Sequence, residues 1–196
     1  MTETDTFARA RRAMIESQLR TSGVNAEFVL RRMSVVPREA HVPAAKQSAA
    51  YMDRAIRFDD GGALASPLFH GMMLQEAEPQ AGEHVLIVDN GSGYLPALVE
   101  PLVAQMTVIS PDEALNSGRK GKDASLLLVD GAVEDIPAKL ANRLAEGARI
   151  VTGLTTNGVT RIAVGRKTDS GVSLLPLHDI GIPHLSQFDK PKAWSF

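Results

Sequence analysis

The sequence predicts an α/β fold built on a doubly wound sheet, and three observations carry that prediction. Val85 to Asp89 reads as a buried strand, Asn90-Gly-Ser-Gly93 as a tight turn, and Leu95 to Gln105 as a short helix leaving it. Strand, glycine turn and helix form the opening unit of such sheets, and that turn is where a nucleotide usually sits. Ser125-Leu-Leu-Leu-Val-Asp130 is a continuous apolar run ending in an acid, the pattern of a strand covered on both faces. A helix starting at Pro137 then leads into a further strand, Arg149 to Leu154.

The N-terminal third is helical. Phe7, Ala10, Met14, Ile15 and Leu19 recur at helical spacing, with Asp5 or Thr6 as a cap and Gly23 beyond the end. Arg9, Arg11, Arg12 and Arg20 form a solvated face with some ion pairs. A second helix is expected from the N-cap Asn25 to Val36, burying Phe28, Val29, Met33 and Val36. Pro37 and Pro43 bracket an extended connection, Arg38 to Val42, and residues 44–52 suit another short helix. Asp59-Asp-Gly-Gly62 is a turn cluster. Ser66 caps a helix that Pro67 opens and that runs to about Glu78.

Beyond the glycine turn, Met106 to Ser110 is a second strand. Asp112 is placed as the cap of a short helix, Glu113 to Asn116, and Asn116 to Asp123 is a polar surface loop. The helix from Pro137 ends near Ala145 and is closed by Gly147. Val159 to Arg166 and Gly171 to Leu177 form a hairpin around Lys167 to Ser170. The tail from Ile182 is expected to be partly irregular, with Trp194 and Phe196 docked.

The chain has 196 residues, 44% of them hydrophobic, which is enough for a sizeable core. It divides into an N-terminal extension, 1–66, and a main unit, 67–196, that together form one compact body. The net charge of −2 provides no general attraction to nucleic acid or anionic membrane. With no cysteine, disulfides and thiolate chemistry are excluded. The polar start lacks the basic and apolar regions of a signal peptide, and no apolar run is long enough to span a bilayer. A soluble, cytoplasmic setting is the expectation. The five histidines, His41, His70, His84, His178 and His184, have no metal-ligand spacing and are placed at the surface or at caps.

Several strings resemble the protein-L-isoaspartate O-methyltransferase family. They are Met14-Ile-Glu-Ser-Gln-Leu-Arg-Thr-Ser-Gly-Val24, Val35-Val-Pro-Arg-Glu-Ala-His-Val-Pro43, Ala50-Tyr-Met-Asp53, the glycine turn, Asp130 to Pro137 and Leu144 to Val151. They cover most of the chain in one order. The resemblance implies a Rossmann-like methyltransferase sheet and transfer of a methyl group from S-adenosylmethionine to isoaspartyl carboxylates in damaged proteins. That chemistry rests on positioning and on water exclusion, with no metal. It assigns Asp89, Asn90, Gly91, Ser92, Gly93, Asp112, Asp130 and Gly131 to the donor, and Ser66 and Asp53 to the acceptor side.

This sequence departs from the family at those sites. Gly91, Ser92, Gly93 and Tyr94 match, but Ile87 replaces the acid of the strand and Asp89 the first turn glycine. Pro111 lies near where a ribose-binding acid belongs, leaving Asp112 as the nearest carboxylate. Only Pro111 to Ala124, fourteen residues, join the second strand to the run at Ser125. The family's additional helix and strand need about 25–30 residues. Ala63 and Ala65 stand where the family's acceptor loop carries hydroxyls.

The expected architecture is therefore reduced by one strand and one helix, with a C-terminal hairpin. Losing several ribose and adenine contacts, each worth about 1–3 kcal/mol when buried, would weaken donor binding by several orders of magnitude. The leading expectation is a degenerate family member with little or no methyl transfer and a residual binding or structural role. The alternatives are an active isoaspartyl methyltransferase with a trimmed pocket and a binder of another small ligand in the vacated cleft. Without the missing strand, Gln105 to Ser110 becomes an uncharged sheet edge, which predicts a homodimer through it.

Overall fold

The computed structural model describes residues 3–191, with side chains from Asp5 onward. The expectation for Trp194 and Phe196 lies outside them. A six-stranded sheet runs through the centre in the order β4-β3-β5-β6-β7-β8. Here β3 is His84–Val88, β4 Gln105–Ile109, β5 Ala124–Val133, β6 Leu144–Thr156, β7 Val159–Thr168 and β8 Gly171–Asp179. The first four in that order are parallel, and β7 and β8 add antiparallel strands as a hairpin. β4 is the edge, as the short connection requires. A small hairpin, β1 (Ile56–Arg57) with β2 (Ala63–Leu64), lies outside the main sheet.

Alternation along β3 sorts the core into two layers. Val85 and Ile87 face a cluster with Met14, Leu19, Met33, Phe69 and Leu95 from the helical layer. Leu86 and Val88 face the other side, with Ala114, Leu140, Leu185 and Phe188. Ile87, where the resemblance leads one to look for an acid, is fully buried among apolar side chains.

The helices are α1 (Glu3–Met14), α2 (Glu27–Val35), α3 (Pro67–Ala77), α4 (Tyr94–Val99), α5 (Pro111–Ala114) and α6 (Ala138–Ala141). α1 continues through a π turn and a 3-10 turn to Gly23. Asp5 and Thr6 thus lie inside the helix rather than at its cap. α2 begins later than Asn25 suggested: Ala26 is its N-cap, without a side-chain cap bond, and the chain leading into it is tied to another helix. Gln75 Oε1, on α3, accepts from the Asn25 and Ala26 amides at 2.8 and 3.0 Å. Residues 38–41 form a 3-10 turn rather than an extended link. α4 is shorter than expected and passes into a 3-10 turn containing Pro101, which lacks an amide donor. α6 is also short, because β6 starts at Leu144, so Gly147 sits within a strand and closes no helix.

The link from β4 to β5 is ordered. Ser110, not Asp112, caps α5, in a capping box with Glu113. Arg143 is 3% exposed. Its guanidinium donates to the carbonyls of Glu113 at 2.6 Å, Asn116 at 2.8 Å and Lys120 at 3.2 Å. Gly121 lies so close to β3 that a Cβ there would meet Leu86 Cδ1 at 2.6 Å. The short link therefore crosses directly over β3, on the layer that a helix would otherwise cover.

Candidate functional site

The strand ends converge. Val88, the last residue of β3, is level with Val129 of β5, so Asp89 leaves β3 beside Asp130, which lies within β5 where its register shifts. In an open α/β sheet, the crevice where ligands bind lies at such strand ends. Gly91 and Gly93 have φ of +89° and +65°, the backbone that glycine adopts without steric cost. The expected turn is thus formed.

Two of its amide donors are already engaged. Asp89 Oδ2 accepts from the Gly91 amide at 2.9 Å, and both Asp89 oxygens accept from the Gly93 amide at 3.1 Å. Ser92 Oγ accepts from the Tyr94 amide at 3.2 Å. Burial pushes the Asp89 carboxyl above the usual range and the Asp130 charge adds to this, while the Gly93 and Gly91 amides oppose both. From outside, the β1–β2 hairpin covers the turn, with the Ala63 amide donating to Asn90 O at 2.9 Å. A hollow of about 440 Å³ remains beside it, bordered by His41, Phe58, Asp59, Gly91 and Ser92.

Below the turn runs a buried polar string that the sequence did not announce. Arg38, His70 and Asp130 are all 0% exposed. The Arg38 guanidinium donates to Ala50 O at 2.8 Å and Ala65 O at 2.7 Å, lies over the Tyr94 ring at 4.7 Å, and is 3.2 Å from His70 Nδ1. Guanidinium nitrogens only donate, so Nδ1 must accept. His70 Nε2 therefore carries the hydrogen and donates to Asp130 Oδ1 at 2.9 Å. Asp130 Oδ2 is buried without a partner among the described residues. The expectation that every histidine lies at the surface or at a cap is corrected here. The available signal was a polar side chain, His70, on the buried stripe of α3 beside Phe69, Met73 and Leu74.

The remaining expected residues fall into separate places. Asn90 and Ser92 are nearly buried, at 8% and 9% exposure. Gly131 is covered by Leu185, whose Cγ would lie 2.6 Å from a Cβ at that position. Asp112 lies in the first turn of α5, at the end of β4. Asp53 and Ser66 are brought together on one cleft of about 400 Å³. Ser66 Oγ accepts from the Phe69 amide at 3.3 Å, confirming its cap role, while Ala63 and Ala65 are buried. No group of three or more potential metal ligands occurs among the described residues.

Comparison with known proteins bears on this arrangement. The family model for protein-L-isoaspartate(D-aspartate) O-methyltransferase (PCMT) matches residues 9–117. A protein-L-isoaspartate O-methyltransferase of Koribacter versatilis is 30% identical, over 88% of this chain and 89% of its own. One from Methanoculleus marisnigri is 26% identical, over 95% and 96%. Among solved structures, a Plasmodium falciparum chain assigned to the same methyltransferases, in complex with S-adenosyl-L-homocysteine, superposes with a TM-score of 0.68. That superposition covers 92% of this chain and 98% of the other at 14% identity, a match of fold.

Proposed function

The chain belongs to the protein-L-isoaspartate O-methyltransferase family, and from that premise we propose that it is a member whose grip on the methyl donor is largely lost, leaving a binding role. The observation that carries this reading is the Asp89 carboxylate seated on the Gly91 and Gly93 amides. S-adenosylmethionine brings an amino-acid carboxylate of its own. A turn whose amides already serve a carboxylate repels another and has few donors to offer it. The fixed link over β3 supports the same conclusion, because residues 110–123 leave no room for a further helix and strand. On this reading the turn offers the donor's carboxylate little grip, and Asp89 is left to meet only the donor's ammonium group.

A second reading, an active isoaspartyl methyltransferase, is favoured by the left-handed Gly91 and Gly93 and by the names of the relatives. Incubating the protein with radiolabelled S-adenosylmethionine and an isoaspartyl peptide separates the two. The first reading expects label in the peptide at background, and turnover like that of an active enzyme would replace it with the second.

The cytoplasmic setting and the division near residue 66 remain parts of the proposal. No helix among the described residues is long and apolar enough to cross a membrane. Pairing of β4 with a second copy is proposed as well, motivated by its edge position and by Val108, which is 40% exposed.

A further inference from the structure

A hydroxyl, an imidazole and a carboxylate line up at the C-terminal end of β6, two strands away from the glycine turn. Thr155, next to last in β6, is paired with Thr160 of β7. His184 is held by a parallel bridge to Ala132 of β5. In that bridge the Ala132 amide donates to Pro183 O at 2.7 Å, and the Leu185 amide donates to Ala132 O at 2.8 Å. Leu185 and Phe188 are buried and anchor the chain between His184 and Asp189. Beyond Asp189, the Lys190 amide donates to Glu134 Oε2 at 2.9 Å. Packing on β5 and β6 thus brings together side chains from two distant stretches of sequence.

Their hydrogen bonds have a direction. An ionised carboxylate only accepts, so His184 Nε2 donates to Asp189 Oδ1, at 2.6 Å. The neutral ring then accepts at Nδ1, and Thr155 Oγ1 donates to it at 3.0 Å. The hydroxyls of Thr152 and Thr160 go to backbone carbonyls, whereas that of Thr155 goes to the imidazole. A hydroxyl on a base that is itself oriented by a third group is the arrangement of an activated nucleophile. The His184 side chain is 33% exposed and that of Asp189 is 45%, so water weakens the pairing and the activation suits an ester rather than an amide. Thr155 lines a cleft of about 390 Å³. Asn157 and Lys190 line it as well, and their side-chain donors have no partner among the described residues. Val172 and Leu174 give it an apolar wall, while Glu134 disfavours an anionic occupant.

We propose that Thr155, His184 and Asp189 form a second reactive site, which hydrolyses neutral short-chain esters. Thr155 Oγ1 bonds to the ester carbonyl carbon as its proton passes to His184 Nδ1. Asn157 and Lys190 are the donors available to the resulting oxyanion. The bond to the alkoxy oxygen then breaks, and that oxygen takes the proton from Nδ1 and departs as alcohol. The acyl group stays on Thr155. Water attacks it next, giving a proton to Nδ1 that returns to Thr155 Oγ1 as the carboxylic acid leaves. The sum is ester and water to acid and alcohol. Asp189 is a positioning residue that holds the ring and its tautomer. This site uses no methyl donor and stands independently of the reading of the glycine turn.

The test is hydrolysis of p-nitrophenyl butyrate by the full chain, with the acylated residue located by mass spectrometry after acid quenching. Saturable hydrolysis is expected, with butyryl on Thr155. General-base assistance contributes about 10²–10⁴-fold, so kcat should fall at least tenfold in Thr155→Val and in His184→Gln. Thr155→Ser keeps a hydroxyl and should keep both the hydrolysis and the label at that position. Asp189→Asn should lower kcat and leave KM unchanged. His178→Gln, at an exposed position on β8, is the control and should match the parent. Exposed lysines react unaided with activated esters, so the position of the label is decisive. Butyryl on lysine alone, an unchanged kcat in Thr155→Val, or hydrolysis that does not saturate overturns the proposal in favour of a clasp that only fastens residues 182–190. If Thr155→Val does not fold, labelling of the parent and of Thr155→Ser decides the question.

Discussion

His70 Nε2 donates to Asp130 Oδ1 at 2.9 Å, with both side chains completely buried. This contact is the middle of a string that starts at the Arg38 cation and ends at the Asp130 carboxylate. Neutral His70 transmits it, accepting at one ring nitrogen and donating at the other. The string ties together the 3-10 turn at residue 38, helix α3 and the end of β5. Of those three segments, the turn after Pro37 borders the hollow beside Gly91 through His41, and α3 reaches the cleft of Asp53 through Leu68.

The charge balance of the string makes Asp130 a strong determinant of stability. Asp130→Ala removes the counter-charge of Arg38 and leaves His70 Nε2 without an acceptor. Breaking such a buried pairing costs about 3–5 kcal/mol. In a domain of this size, the melting temperature should fall by on the order of 10 °C. Differential scanning calorimetry at neutral pH reads this directly. A fall of a degree or two would mean that Arg38 is compensated elsewhere.

Arg143 is predicted to hold the shortened link. In Arg143→Met the apolar stem is kept, but the carbonyls of Glu113, Asn116 and Lys120 lose their shared donor. We expect a loss of about 2–3 kcal/mol, from hydrogen bonds to a charged group partly replaced by water. Limited proteolysis should then cut within residues 115–123, which the parent protects. Unchanged cleavage kinetics would show that packing against Leu86 is sufficient to hold the link.

Alkaline stability should depend on two tyrosines. Burial raises the Tyr51 hydroxyl above its ordinary pKa of 10, and its hydrogen bond to Glu39 raises it further. Burial also raises Tyr94, against the pull of Arg38. In each case the folded-state pKa exceeds the unfolded one. The contribution of each neutral hydroxyl is therefore complete below pH about 10 and lost as pH climbs from there through the folded-state value. Urea midpoints measured from pH 8 upward should fall in the parent beyond pH 10 and fall less steeply in Tyr51→Phe. Parallel curves would remove Tyr51 as a contributor.

Much of this structure is legible in local patterns. The apolar run of β3, the Ser66-Pro67 helix start, Gly23 and the β7–β8 hairpin all declare themselves within a few residues. The edge position of β4 follows from the short link alone. What stays hidden depends on partners distant in sequence. Asn25 resembles a cap, yet Ala26 takes that position and Gln75, fifty residues on, holds the Asn25 amide. Gly147 resembles a helix stop, yet β6 pairing with β5 draws it into a strand. Arg38 sits in a polar, proline-bounded segment, and only tertiary structure reveals it as a hub. The same holds for the candidate site. The glycines of the turn are visible in sequence, but the Asp89 carboxylate lying across their amides is not.

The most direct test of the central claim is calorimetric titration of the unmodified protein with S-adenosylhomocysteine, the demethylated form of the donor. Because Asp89 holds the Gly91 and Gly93 amides, no saturable heat is predicted up to about 1 mM ligand, an affinity weaker than about 4 kcal/mol of binding free energy. A one-to-one isotherm with a micromolar dissociation constant would contradict the account.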